Sequence, residues 1–257
     1  MKTALKSIAM TLALAVGASA ASAEDLVIRW GTEAGYKPFA FKTADGELTG
    51  FDIEIGNAIC EELNATCSWQ EHEFDALIAA LNANKFDAIL ASMTNTDKRQ
   101  RAIDFTGKYY NIPSTFVGRS DAGLNDEDGL AGKTVGVQRS TIMEDYLRNE
   151  RKDVTVKTYP TQDEIWLDLV AGRLDAAMGG KLQIVEGFLN TDQGKEFALF
   201  GRDYADPKYF GYGSSIGVRK ADSELRDAIS GAILALRENG KYAEINDKYF
   251  DIDIYGE

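Results

Sequence analysis

Twice along this chain the same succession of segments appears: strand, helix, strand, helix, and a third strand of matching form. The first series runs through a strand-like Leu26–Gly31, a helix over Gly50–Asn64, a strand over Cys67–Glu71, a helix over Phe74–Asn84 and a buried strand over Phe86–Ala91. Phe51, Ile55, Ile59 and Leu63 recur on one face of the first helix, the spacing of an amphipathic helix laid on a sheet. The second series is Thr134–Val137, Thr141–Asn149, Val154–Tyr159, Thr161–Ala171 and Leu174–Met178. Its two helices each open on a capping box, Thr141-Ile142-Met143-Glu144 and Thr161-Gln162-Asp163-Glu164. The third strands lie in near-copies, NANKFDAILAS (82–92) and VAGRLDAAMGG (170–180). Such alternation predicts an α/β fold of two similar lobes, each a mainly parallel sheet flanked by helices. Apolar segments at Ala102–Phe105 and Pro113–Val117 lead from one series to the next. A strand over Tyr212–Val218 and helices over Ser223–Asn239 and Tyr242–Tyr249 have no partner series and are expected back on the first lobe. The expected division is residues 24–111 with 207–257 as lobe 1 and 112–206 as lobe 2. A two-strand hinge near Asn111–Pro113 and Ala205–Tyr209 joins them, and a ligand cleft lies outside the carboxyl ends of the strands.

The N-terminus reads as a secretory signal over residues 1–23: Lys2 and Lys6, an apolar run Ile8–Ala23 without acids, and Ala21-Ser22-Ala23 at the cleavage point. The run is too short and too rich in small residues to cross a bilayer comfortably, and no Cys follows it to carry a lipid. Its removal takes away two of 28 basic residues and none of 41 acidic ones, leaving a net charge of −15. That charge argues against nucleic acid and anionic membranes as partners and weakly favours cationic ligands. Cys60 and Cys67, the only cysteines, are expected to close a disulfide, as a close-spaced pair in an exported chain does. A metal site is not expected, since His72 is the only histidine and reads as a surface or rim residue. No Ser/His/Asp arrangement is present either.

The strings GTEAGYKPF (31–39), GELTGFDIEIGNAIC (46–60), FDALIAALNANKFDAI (74–89), TDKRQRAIDF (96–105), AGRLDAA (171–177) and KYFDIDIYG (248–256) resemble those of the periplasmic polar-amino-acid-binding proteins of ABC transporters. The nearest group is that of the lysine/arginine/ornithine- and histidine-binding proteins, and the likeness runs in order over nearly all of residues 25–257. It implies that Arg99 holds the ligand's α-carboxylate, for which a guanidinium offers a planar two-pronged fork. Lys98 and Arg101, beside it, read as solvated turn residues. The run Ser92-Met93-Thr94 is implied to supply backbone and hydroxyl hydrogen bonds. Thr141 and Ile142, opening a helix, are implied to touch the carboxylate, partly through backbone N–H groups. Tyr36 and Phe74 match an aromatic pair that sandwiches the ligand's side chain, although plain core packing competes for Phe74. Glu33 matches an acid that meets a distal cation, and Asp52 is as readily a structural residue at a helix start.

One position departs from the resemblance. Where that family usually carries an Asp for the ligand's α-ammonium, this chain has Gly180, inside Met178-Gly179-Gly180-Lys181. Either another acid takes over, Glu33 being the only substitute, or the ligand's α-nitrogen is substituted, as in an arginine-derived opine. Paired glycines would give such a substituent room, Lys181 could meet a second carboxylate, and Gln183 could offer the nitrogen an amide oxygen. The leading expectation is therefore a monomeric periplasmic receptor that captures a basic amino acid by hinge closure and delivers it to a membrane permease, without cofactor. An opine is the alternative ligand, and a periplasmic dehydratase on the same fold, with Glu33 as its acid, is the alternative of another class.

Overall fold

The computed structural model describes residues 26–256, so the secretory leader expected over residues 1–23 lies outside the described residues. Two five-stranded sheets share one plan. In the first, Val27–Thr32 lies between Thr66–Glu71 and Ala88–Ile89, parallel to both. Ser214–Val218 then adds antiparallel to Ala88–Ile89, and Asp104–Tyr110 antiparallel to Ser214–Val218. In the second, Thr134–Gln138 lies between Thr155–Tyr159 and Ala176–Gly180, again parallel to both. Ser114–Arg119 and Phe197–Tyr204 follow, antiparallel. The three helix-linked strands of each lobe thus run parallel, as the double series predicts. The fourth strand of each sheet has just arrived from the other lobe and the fifth is about to leave for it.

Helix Phe51–Glu62 turns Phe51, Ile55 and Ile59 into a core with Ile28 and Trp30 of the first sheet. Ile55 and Ile59 are no more than 1% exposed, and each such side chain contributes roughly 1.5–3 kcal/mol by leaving water. The returning helices Ser223–Glu238 and Lys241–Asn246 bring Ile229, Ile233 and Tyr242 to the same core. Cys60 and Cys67 are joined by a disulfide that ties the end of Phe51–Glu62 to strand Thr66–Glu71. Thr141 and Thr161 cap their helices as expected, accepting from the backbone N–H of Glu144 and Glu164 at 3.3 and 3.4 Å.

Short helix Pro207–Phe210 packs with the second sheet, where the Phe210 ring sits 5.5 Å from that of Tyr146 and 5.8 Å from that of Tyr204. The chain leaves that core only at Gly211 and Gly213, both left-handed (φ 63° and 91°). A side chain at Gly211 would collide with the Asn95 carbonyl, 2.2 Å from its Cβ position. Two elements had no clear sequence signal. One is a small sheet of Gly35–Tyr36, Ala40–Lys42 and Leu48–Thr49. The other is a helix over Lys181–Ile184 that widens into a π turn over Val185–Leu189. No helix among the described residues is long and apolar enough to cross a membrane.

Candidate ligand-binding cleft

The carboxyl ends of both sets of parallel strands face one cleft lined by residues of both lobes. Just past those ends, Ser92 and Ser140 adopt left-handed backbone (φ 53° and 59°), a conformation that non-glycine residues hold only where the surroundings enforce it.

Arg99 reaches the cleft from the short helix Asp97–Gln100, whose cap is the Thr96 hydroxyl, 3.3 Å from the Arg99 N–H. Its guanidinium donates to the Thr94 carbonyl at 2.8 Å and, across the cleft, to the Ser140 carbonyl at 3.0 Å. It also lies 5.3 Å from the centre of the Phe74 ring. No carboxylate pairs with it among the described residues. Asp145, whose field reaches it, is held instead by Lys98 at 2.7 Å. Burial without an acid lowers the Arg99 pKa to about 10. Beside it Thr141, Ile142 and Met143 form the cleft wall at the start of helix Ile142–Glu150, where the first backbone N–H groups have no partner within the helix. The Thr141 hydroxyl itself is occupied, donating to the Gln138 carbonyl at 2.7 Å. This end of the cleft is built for an anion.

Glu33, at the end of Val27–Thr32, is 4% exposed and also has no charged partner among the described residues. Its Oε2 accepts from the Gln138 amide of the other lobe at 2.7 Å. Burial pushes its pKa up to about 8, with Asp52, Glu73 and Asp163 adding repulsion. Gln138 also donates to the Pro160 carbonyl at 3.0 Å and accepts from Gln162 at 3.3 Å. Asp52 is fully buried behind the cleft, accepting from Ser92 Oγ and Tyr109 Oη, each at 2.9 Å. Burial raises its pKa to about 7. Asp52 therefore fixes Ser92 in place rather than facing the cleft. Tyr36 and Phe74 both line the space, 9% and 8% exposed.

Of the residues singled out in the sequence, Glu33, Tyr36, Phe74, Ser92, Thr94 and Arg99 from the first lobe and Thr141, Ile142 and Gly180 from the second surround this cleft. Met93 does not: its side chain is buried with Leu77, Leu81 and Ile103, past the left-handed turn of the backbone at Ser92. Lys181 points elsewhere as well, paired with Asp203 at 2.8 Å. The room expected at the glycine pair is already taken. A Cβ on Gly180 would stand 3.0 Å from the Tyr36 hydroxyl, and one on Gly179 would face Ile184 and the Gln183 amide oxygen at 3.3 Å, on the opposite face of the strand. Gln138, Tyr110, Asn111 and Ser214 line the cleft without having been picked out. Gln138 had one usable signal, as the last residue of a strand ending where ligands bind, Thr134–Gln138. His72 is half-buried against Phe86, and no cluster able to hold a metal occurs among the described residues. Besides the Glu33–Gln138 and Arg99–Ser140 contacts, Arg139–Asp75 (3.0 Å) and Lys98–Asp145 bridge the lobes, so the arrangement is a closed one.

Similarity to known proteins is extensive. The chain is 51% identical over 248 residues to the L-arginine-binding protein of Pseudomonas aeruginosa, covering 95% of this chain and 96% of that one. It is 40% identical over 260 residues to the lysine/arginine/ornithine-binding periplasmic protein of Escherichia coli, covering 100% of both. Among solved structures, a Salmonella typhimurium periplasmic binding protein described for its high arginine specificity superposes with a TM-score of 0.83 at 32% identity, covering 88% of this chain and 99% of that one. Residues 28–252 match the model of the bacterial extracellular solute-binding proteins, family 3, and the chain belongs to that family.

Proposed function

We propose that this chain is a periplasmic receptor of an ABC transporter that captures a basic amino acid, arginine foremost, between two hinged lobes. The observation that carries this reading is a pair of ionisable groups without opposite charges in one cleft: the Arg99 cation at one end and at another the Glu33 carboxyl, which a cation would ionise, each resting on neutral partners. A ligand with a carboxylate and a distal cation gives both an opposite charge. Its carboxylate meets Arg99 and the start of helix Ile142–Glu150, its aliphatic stem lies between Tyr36 and Phe74, and its cation meets Glu33. The names of the arginine- and lysine/arginine/ornithine-binding relatives support the same ligand class. The lobes meet through Asn111–Pro113 and, given the packing of Phe210, through residues 211–213; lobe 1 is then residues 24–111 with 211–257. Export through the 1–23 leader, delivery to a membrane permease and action as a monomer complete the reading.

The dehydratase alternative is disfavoured by the same site. Glu33 has the raised pKa of a candidate acid, but among the described residues that line the cleft no histidine, lysine or second carboxylate stands with it. The opine alternative loses its warrant with the space at Gly180 filled by Tyr36 and with Lys181 held by Asp203. Titration calorimetry over arginine, lysine, ornithine, histidine, glutamine and octopine tests the assignment. Arginine or lysine is expected to bind tightest; preference for octopine, or turnover of a prephenate-like acid, would replace it.

A further inference from the structure

We propose that the receptor reads its ligand at two charges only, so that it also takes ω-cationic carboxylic acids that lack an α-amino group, such as 5-guanidinopentanoate. This rests on the basic-amino-acid reading above and narrows its chemistry. A basic amino acid brings one anion and two cations into the cleft. Among the described residues that line it, Glu33 is the only acidic side chain. Asp52 lies one side chain behind and spends its oxygens on Ser92 and Tyr109. The wall at Gly180 presents no side chain; the group that fills this spot is the neutral Tyr36 hydroxyl, 3.0 Å from the Gly180 Cβ position. Ser92, Asn111 and Ser214 line the cleft and add only neutral oxygens and amides. Once Glu33 has paired with the guanidinium, the α-ammonium meets uncharged acceptors. An ammonium stripped of water and left without a carboxylate gains little over its hydrated state. Removing it therefore costs the complex little.

Calorimetry on the intact mature protein tests this with arginine and 5-guanidinopentanoate, which share carboxylate, stem and guanidinium. A carboxylate-bonded ammonium is worth about 10- to 150-fold in affinity, converted at 1.4 kcal/mol per decade. The expected gap between the two ligands is below about tenfold, beneath that range. In Gly180→Asp the gap should widen by at least about tenfold, while Gly180→Asn, equal in size but uncharged, should leave it unchanged. A wild-type gap above about tenfold would overturn the proposal while leaving the receptor assignment intact. If neither arginine nor lysine bound, the assignment itself would fail. Should both Gly180 variants lose arginine through crowding of Tyr36, the wild-type gap alone decides.

Discussion

Gly187 offers a test of closure that leaves the ligand's contacts alone. It lies in the Val185–Leu189 turn of the second lobe, and a Cβ built on it would stand 2.5 Å from the Lys37 carbonyl oxygen of the first. Ordinary contact begins at 3.4 Å, so the methyl of Gly187→Ala falls about 0.9 Å short of the space it needs. The obstacle is backbone, with no rotamer to escape into, and the two surfaces meet only when the lobes are closed. Gly187 does not have positive φ, so Ala adds no backbone strain and the turn itself should form at least as well. Overpacking of this kind costs about 1–3 kcal/mol, here borne by the closed form alone, which converts to roughly 5- to 150-fold weaker arginine binding. Thermal stability of the ligand-free protein should be unchanged. Gly180→Ala is the internal comparison: its Cβ would meet the far end of the Tyr36 side chain at 3.0 Å, which can give way, so its loss should be smaller. Titration calorimetry on the three proteins decides. Wild-type affinity in Gly187→Ala would mean that the ligand-loaded lobes do not approach as closely as they do here.

Three further outcomes follow from the same geometry. Arg99→Met should weaken arginine binding by about 30-fold or more, the low end for truncating one partner of a desolvated charge pair, while the melting temperature of the empty protein holds, because the guanidinium has no ion pair among the described residues to lose; an unchanged affinity would remove Arg99 from the site. For Glu33 the sign runs from its raised pKa: an unfolded glutamate loses its proton near about 4.3, the one buried in the closed cleft near about 8, so the closed empty form holds the extra proton between those values and becomes less favourable as pH rises through them. A cationic ligand favours the ionised form, so arginine affinity should climb from pH 6 to about 8 with proton release, seen as an enthalpy that varies with buffer; Glu33→Gln should abolish that release and lower arginine affinity far more than glutamine affinity. Cys60→Ser with Cys67→Ser should cost about 2.5 kcal/mol from a seven-residue separation, roughly 5–10 °C in melting temperature; alkylation of two thiols in the denatured, non-reduced wild type would refute the bond.

The parts of the fold legible in the sequence are those held by a local rule. The double series, the Thr141 and Thr161 caps and the Phe51–Ile55–Ile59 face each follow from spacing within a few residues. What stayed hidden depends on partners far along the chain. The Pro207–Phe210 helix joined the second lobe because Phe210 finds Tyr146 and Tyr204 there, and nothing in its own sequence names those partners. The π turn at Val185–Leu189 had no periodicity of its own to give it away. At the site, charged and aromatic residues were found because their chemistry is conspicuous. Gln138 was overlooked because an amide is unremarkable until it is seen 2.7 Å from a buried carboxylate. Met93 erred the other way: its neighbours Ser92 and Thr94 line the cleft, while its own apolar side chain joins Leu77, Leu81 and Ile103 in the core.

Charge recognition and lobe closure are, in this arrangement, a single event. Arg99 and Glu33 each reach a neutral group on the second lobe, Ser140 and Gln138, and those contacts exist only when the lobes meet. Closing an empty cleft therefore strips water from a cation and a carboxylate and gives each only a neutral dipole in return. The lowered Arg99 pKa and the raised Glu33 pKa carry that cost. The charged pairs that tie the lobes together, Lys98–Asp145 and Arg139–Asp75, lie near the surface and are worth about 0–1 kcal/mol each, too little to hold the empty form shut. A ligand carrying both charges reverses the balance at two points at once; one carrying a single charge repairs one point and leaves the other unpaired. Selectivity then comes from which ligands make closure favourable, since a ligand shifts the open–closed equilibrium only by its difference in affinity for the two states.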